Sequence, residues 1–212
     1  MAIGPRIISL LKEIKTIPLF KKYIDGKITI KDAIKVEKDG IKIFGFISIA
    51  SIDLVDWGTL LKELTEIHGP GVLSTMRMCF EKAGYEDARL LKRILPKEKM
   101  HRLLQLWIDL GHIRKILGIE IGKNNDLRKT SLSVALSEIR DEDNKVVIRV
   151  QGSLSSRAIK SVTRKTRYPI CVHEPAYVAG VLKVITGKEW EVEETKCEGM
   201  GDKFCEWVFT KK

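Results

Sequence analysis

The chain of 212 residues contains no apolar run of 18, so it offers no segment able to cross a bilayer as a helix. It also lacks a secretory leader pattern, because Ile7 to Leu11 is short and is followed at once by Lys12 and Glu13. Together these absences predict a cytoplasmic protein. No G-x-S-x-G elbow, phosphate-cradling glycine loop or dinucleotide fingerprint occurs, which removes the chemistries that depend on those motifs. Histidine is scarce, with four residues and no pair at metal-ligand spacing. His101 and His112 fall on one predicted helix but too far apart to meet, so they and His68 read as surface or capping residues. His173 lies close enough to Cys171 to be a substitute ligand. Internal repeats and low-complexity tracts are absent too.

What the chain does have is concentrated between Cys171 and Trp207, where three of its four cysteines lie. Cys197 and Cys205 bracket the loop EGMGDKF, in which Gly199 and Gly201 can adopt positive φ and fold the chain back so that both thiols face one point. Glu194 adds an oxygen three residues before Cys197. Cys171 precedes a helix that carries Pro175 in its first turn and stops at Gly187. Thiolate with carboxylate is an accepted donor set for Zn²⁺, which takes four ligands. A set of four protein donors leaves no vacant position and describes a closed structural site rather than a catalytic one. In a reducing compartment four cysteines favour metal over disulfides. Heavy use of Ile, Lys and Glu suggests a thermophile, where intracellular disulfides occur, so a Cys171 to Cys197 bridge remains the alternative. Cys79, flanked by Met78 and Phe80 in a predicted helix, reads as a buried small hydrophobe.

The order Pro-hydrophobe-Cys, a helix with A-G-V-L, then T-G-K and V-E-E-T-x-C-x-x-M-G-D-x-x-C-E-x-V resembles the C-terminal half of the 4-vinyl reductase domain family. That family includes a bacteriochlorophyll-biosynthesis protein and the sensor domains of phenol- and toluene-responsive activators. Its fold is similar to that of trafficking-complex subunits with an acyl-chain tunnel. The resemblance is closest over residues 146 to 209 and weaker from Gly69 to Ile121. It implies a single zinc held by Cys171, Glu194, Cys197 and Cys205, a hydrophobic ligand, and pairing into a homodimer. A histidine and a tryptophan that serve the phenol sensors do not transfer, because Lys145 to Gly152 contains neither type.

Hydrophobic and turn patterning predicts an α+β fold, an antiparallel sheet packed with helices and closed by a zinc-stapled C-terminal hairpin. Residues 1–68 read as an extension with an amphipathic helix over Pro5 to Ile17, short extended pieces at Lys27 to Ile30 and Ala33 to Val36, and a β-rich run from Ile41 to Ile49 after the Lys38-Asp39-Gly40 turn. A helix follows Asp53, with Leu54, Trp57, Leu61, Leu64 and Ile67 at helical spacing. Gly69-Pro70-Gly71 separates this extension from a small-molecule-binding domain at residues 69–212. There the spacing predicts a helix over Leu73 to Ala83 stopped by Gly84, a second from Glu86 to Leu95, and a long one from Pro96 to Leu117 stopped by Gly118. Lys123 to Lys129 reads as a polar loop. Strands are predicted over Ser131 to Arg140, Lys145 to Val150, 189–196 and 204–209.

The net charge of +10 draws the chain toward anionic partners, and its densest basic run is RAIKSVTRKTR, Arg157 to Arg167. No aromatic residue interleaves that run, so a nucleic-acid-binding regulator is the weakest of three readings. The first is a binding or sensing module for an apolar or aromatic small molecule, enclosed by Met76, Phe80, Trp107, Leu110, Leu132, Val134 and Leu136. The second is an enzyme or assembly factor acting on a tetrapyrrole-like or aromatic substrate. No acid–base or nucleophile constellation is recognisable, so catalysis is not expected. A sensing role would require an effector protein as partner.

Overall fold

The structure, a computed structural model, describes residues 22–23, 25–37, 40–43, 47–49, 54–93, 99, 105, 108–132 and 135–212. The chain divides into two compact units, Met1–Ser51 and Ile52–Lys212. The first contains a 3-10 turn at Ile30–Ala33 followed by a three-stranded antiparallel meander, β1 (Ile34–Glu37), β2 (Gly40–Ile43) and β3 (Ile47–Ile49). The extended pieces expected at Lys27 to Ile30 and Ala33 to Val36 give way to this turn, where Asp32 accepts hydrogen bonds from the backbone and hydroxyl of Thr29 at 2.8 Å. The helix expected over Pro5 to Ile17 lies outside the described residues.

The second unit is α+β. Its four described helices are α1 (Leu54–His68), α2 (Gly71–Lys92), α3 (Leu154–Val162) and α4 (His173–Thr186). Its antiparallel sheet runs in the order β5-β4-β6-β8-β7, from β4 (Ile113–Lys123), β5 (Asp126–Thr130), β6 (Lys145–Ser153), β7 (Trp190–Lys196) and β8 (Cys205–Lys211). The C-terminal hairpin of β7 and β8 pairs as the sequence predicts, with Val192 opposite Phe209 and Glu194 opposite Trp207. Residues directly opposite share a face of the sheet. One inner row therefore reads Ile121, Val146, Phe209 and Val192, and the next Ile119, Ile148, Trp207 and Glu194. Trp207 and Phe209 are completely buried, and each such side chain contributes about 2 to 3 kcal/mol of transfer free energy.

Three sequence expectations are corrected here. Gly84 does not stop a helix: α2 continues through it, and a Cβ at Gly84 would sit 2.1 Å from the Tyr177 carbonyl oxygen of α4. Its reciprocal on α4 is Gly180, whose Cβ would lie 2.1 Å from the Glu81 oxygen. The two glycines let the helix backbones touch. Secondly, the long helix from Pro96 does not reach Leu117. Gly111 turns the chain at φ 77, β4 begins at Ile113, and Gly118 marks a β-bulge opposite β6. Much of the segment before it lies outside the described residues, and Trp107 with it. Thirdly, residues 126–130 form a strand where a polar loop was expected, and the described part of 131–140 forms turns where a strand was expected. The cause is Asn124, which takes a left-handed φ of 53 and closes a two-residue hairpin with Lys123 opposite Asp126. Pairing is used up before Ser131, and Leu136 and Ile139 bury themselves from a turn instead. Among the described residues no helix is long and apolar enough to cross a membrane.

Candidate metal centre

Alternation along β7 turns Trp190, Val192 and Glu194 inward, and alternation along β8 turns Cys205, Trp207 and Phe209 inward. Glu194 thus stands on the core face, where an isolated carboxylate is costly. After β7 the chain reverses through a 3-10 turn at Glu198–Met200. Asp202 accepts a hydrogen bond from the Cys197 amide at 2.8 Å, and the Asp202 and Met200 amides both donate to the Cys197 carbonyl. Of the two loop glycines only Gly201 has positive φ, 106. Gly199 instead leaves room: a Cβ there would lie 3.4 Å from the Cys197 sulfur and 3.0 Å from the Ile170 side chain. Cys171 arrives from the start of α4, its amide donating to Glu194 Oε2 at 3.0 Å.

Cys171, Glu194, Cys197 and Cys205 come together as one buried cluster, with their donor atoms all within 4.8 Å of one another. The Cys171 and Cys205 sulfurs are 3.6 Å apart. Tetrahedral zinc with bonds of about 2.3 Å holds its sulfurs about 3.8 Å apart, so this spacing fits. Glu194 Oε1 is buried and makes no hydrogen bond among the described residues, as a ligand oxygen would. The cluster can hold a metal ion, and it contains neither His173 nor Cys79. Cys79 is exposed on α2 rather than buried.

The electrostatics carry the same message. Burial, then contact with the other two thiols, pushes Cys171 far up, and burial with the charge of Cys197 pushes Glu194 up. Hydrogen bonds from Cys171 and Cys205 pull Cys197 down to about 2. Without a cation the three sulfurs thus share one negative charge, while metal ligation requires every thiol to ionise.

Around the four donors stands a set of polar residues that spacing did not reveal. Ser153 caps α3 by accepting from the Ser156 amide, and its hydroxyl lies 3.0 Å from the Cys171 sulfur. Glu198 accepts from the Gly152 amide at 2.7 Å, and its own amide points at the Cys205 sulfur at 3.3 Å. The signal was the Ser153-x-x-Ser156 cap at the head of a helix.

The remaining candidates are dispersed. Phe80 lies in a nest of rings, its centroid 4.3 Å from that of His173, which is 5.3 Å from His112 and 6.4 Å from Trp57. His112, expected at the surface, is half-buried here, and burial lowers both imidazoles to about 4, so both are neutral at pH 7. Met76 packs against the core and Leu136 is inside it. Leu110 is half-buried in the turn before β4, and Val134 lies outside the described residues. Leu132 helps line a groove of about 420 Å³ along β4, with Ile108, Ile116, Leu117 and Ile119 as its other apolar residues.

The fold is similar to that of the phenol-responsive sensory domain of the transcription activator PoxR, solved with phenol. The TM-score is 0.62 at 16% identity over 92% of this chain and 90% of that one. A vinyl-4-reductase family protein from Methanocaldococcus jannaschii gives 0.43 at 11% identity over 100% and 99% of the two chains. A trafficking protein particle complex subunit 3 from Naegleria fowleri, covalently bound to palmitic acid, gives 0.38 at 12% identity over 76% and 97%. In sequence, an uncharacterized Methanocaldococcus jannaschii protein is 29% identical over 65 residues, 31% of this chain. The matched region spans only 38% of that relative. Residues 151–211, which hold all four donors of the cluster, match the 4-vinyl reductase domain, and this chain therefore carries a domain of that family at its C-terminal end.

Proposed function

We propose that this protein binds an apolar or aromatic small molecule without transforming it, and that a structural Zn²⁺ on Cys171, Glu194, Cys197 and Cys205 holds the binding fold together. The observation that carries the reading is the closed donor set. Four protein ligands complete a tetrahedron and leave no open position for a substrate or water. The likeness of fold to a sensory domain solved with phenol supports the ligand class, and the groove along β4 supplies an apolar wall with room for a molecule of that size. The bound zinc would contribute on the order of 10 kcal/mol of apparent binding free energy, comparable with the stability of a whole domain. A homodimer is the expected assembly, and sedimentation at micromolar concentration checks it.

The test is a thermal-shift screen with aromatic, isoprenoid and fatty-acyl compounds. A ligand bound only by the folded state at a hundredfold over its dissociation constant adds about 2.7 kcal/mol. For a chain of this size that raises Tm by about 5 to 10 °C. Substituting Leu132 or Ile116 by a polar residue should abolish the shift. If no compound moves Tm, the binding reading fails.

A further inference from the structure

The basic run Arg157 to Arg167 separates into two halves with different roles. In the helical half, Arg157 donates to the Gly111 carbonyl and Lys160 pairs with Glu198 at 3.8 Å, so both charges serve the fold. In the loop half no carboxylate among the described residues lies within ion-pair distance of Arg164, Lys165 or Arg167. Lys165 and Arg167 line a pocket of about 470 Å³ between this loop and α1, together with Lys62, Thr163, Ile159 and Tyr168. Lys62 is already paired with Glu63 and Glu66 at 3.1 Å, which leaves the two loop cations unneutralised at the pocket wall. The Thr163 hydroxyl also makes no hydrogen bond among the described residues.

The loop is held rather than free. The Thr166 amide donates to the Gly199 carbonyl at 2.9 Å, its hydroxyl to the Tyr168 carbonyl at 2.9 Å, and the Lys165 side chain lies over Gly201. Ordering it on binding therefore costs little. We infer that this pocket is a second binding site, for a phosphorylated small molecule with an aromatic or apolar body. The guanidinium of Arg167 and the ammonium of Lys165 face the phosphate, with Thr163 as a neutral donor. Ile159, Pro70 and Tyr168 provide a wall for the rest of the molecule, which the volume requires, since a lone phosphate would fill only a fraction of it. The site is independent of the groove along β4 and of any ligand there.

Titration calorimetry of the full chain with phenyl phosphate, at fixed ionic strength, tests the proposal against phenol and inorganic phosphate as separate probes. Phenyl phosphate should bind more tightly than inorganic phosphate, and added phenol should not displace it. The double variant K165Q/R167Q should weaken phenyl phosphate about tenfold or more, and Thr163→Val should weaken it by a smaller factor. The control K123Q/K129Q removes the same charge from the exposed ends of β4 and β5 and should leave affinity within about twofold. The inference is overturned if the control loses as much as K165Q/R167Q, if K165Q/R167Q with unchanged Tm binds normally, if phenol displaces the probe, or if phenyl phosphate does not bind. None of these outcomes bears on the thermal shifts expected from the groove.

Discussion

Glu194 shows how one side chain can decide a reading. By strand alternation it belongs with Trp190 and Val192 on the core face, where a carboxylate without a cation is a liability and with one is a ligand. Glu194→Gln and Cys197→Ser should each reduce zinc from one ion per chain toward none and lower Tm by about 6 to 12 °C, as expected if about 3 kcal/mol is lost. Metal analysis with calorimetry on the purified variants checks this, and full zinc retention at unchanged Tm would mean the ligand set is wrong. Asp143 offers a test of a different kind. Its carboxylate accepts both arms of Arg128 at 2.7 and 2.8 Å and the Arg140 amide at 2.7 Å, and the Arg128 guanidinium holds it below the ordinary 3.8. The unfolded chain thus takes up this proton more readily than the folded one. The stabilisation is complete above about pH 4 and fades as pH falls through the lower, folded value. Asp143→Asn should cost about 2 kcal/mol at pH 7, and the difference from wild type should shrink in acid, as urea titrations at pH 7 and pH 3 would record.

At the level of elements, the molecule depends on two helices touching at glycine. Gly84→Ala or Gly180→Ala puts a methyl 2.1 Å from a carbonyl oxygen of the facing helix, so α2 and α4 must separate. Each should cost about 2 to 3 kcal/mol, whereas Gly71→Ala at the start of α2 meets nothing within 4 Å and should be neutral or mildly stabilising. Equal unfolding midpoints for Gly84→Ala and Gly71→Ala would contradict that crossing. This contact also explains where the sequence was opaque. A glycine that ends a helix and a glycine that admits a neighbour look alike in one dimension, so Gly187, a left-handed cap at φ 70, was legible and Gly84 was not. Ile113 and Leu117 continue a helical repeat only until Gly111 breaks it, and Asn124-Asn125 conceals a two-residue turn within a polar stretch. The C-terminal hairpin and the four donors were legible because alternation and cysteine spacing act over a few residues. The ring nest of His112, His173, Phe80 and Trp57 was not, since its members meet only through tertiary packing.

For the molecule as a whole, the cluster and its supporting residues tie the terminal hairpin to the heads of α3 and α4. Metal removal should therefore loosen more than a loop. A chelator strong enough to strip zinc should lower the cooperativity of unfolding and reduce the Tm gain produced by an apolar ligand, because the same sheet carries both sites. Native mass spectrometry of the purified full chain, read against its denatured mass, tests the account most directly, since it reports metal, retained ligand and oligomeric state in one spectrum. The account predicts one Zn²⁺ per chain, a dimer, and an apolar molecule that is retained on the folded protein and lost on denaturation. A folded, stable protein with no zinc, or with its cysteines joined as a disulfide, would contradict it.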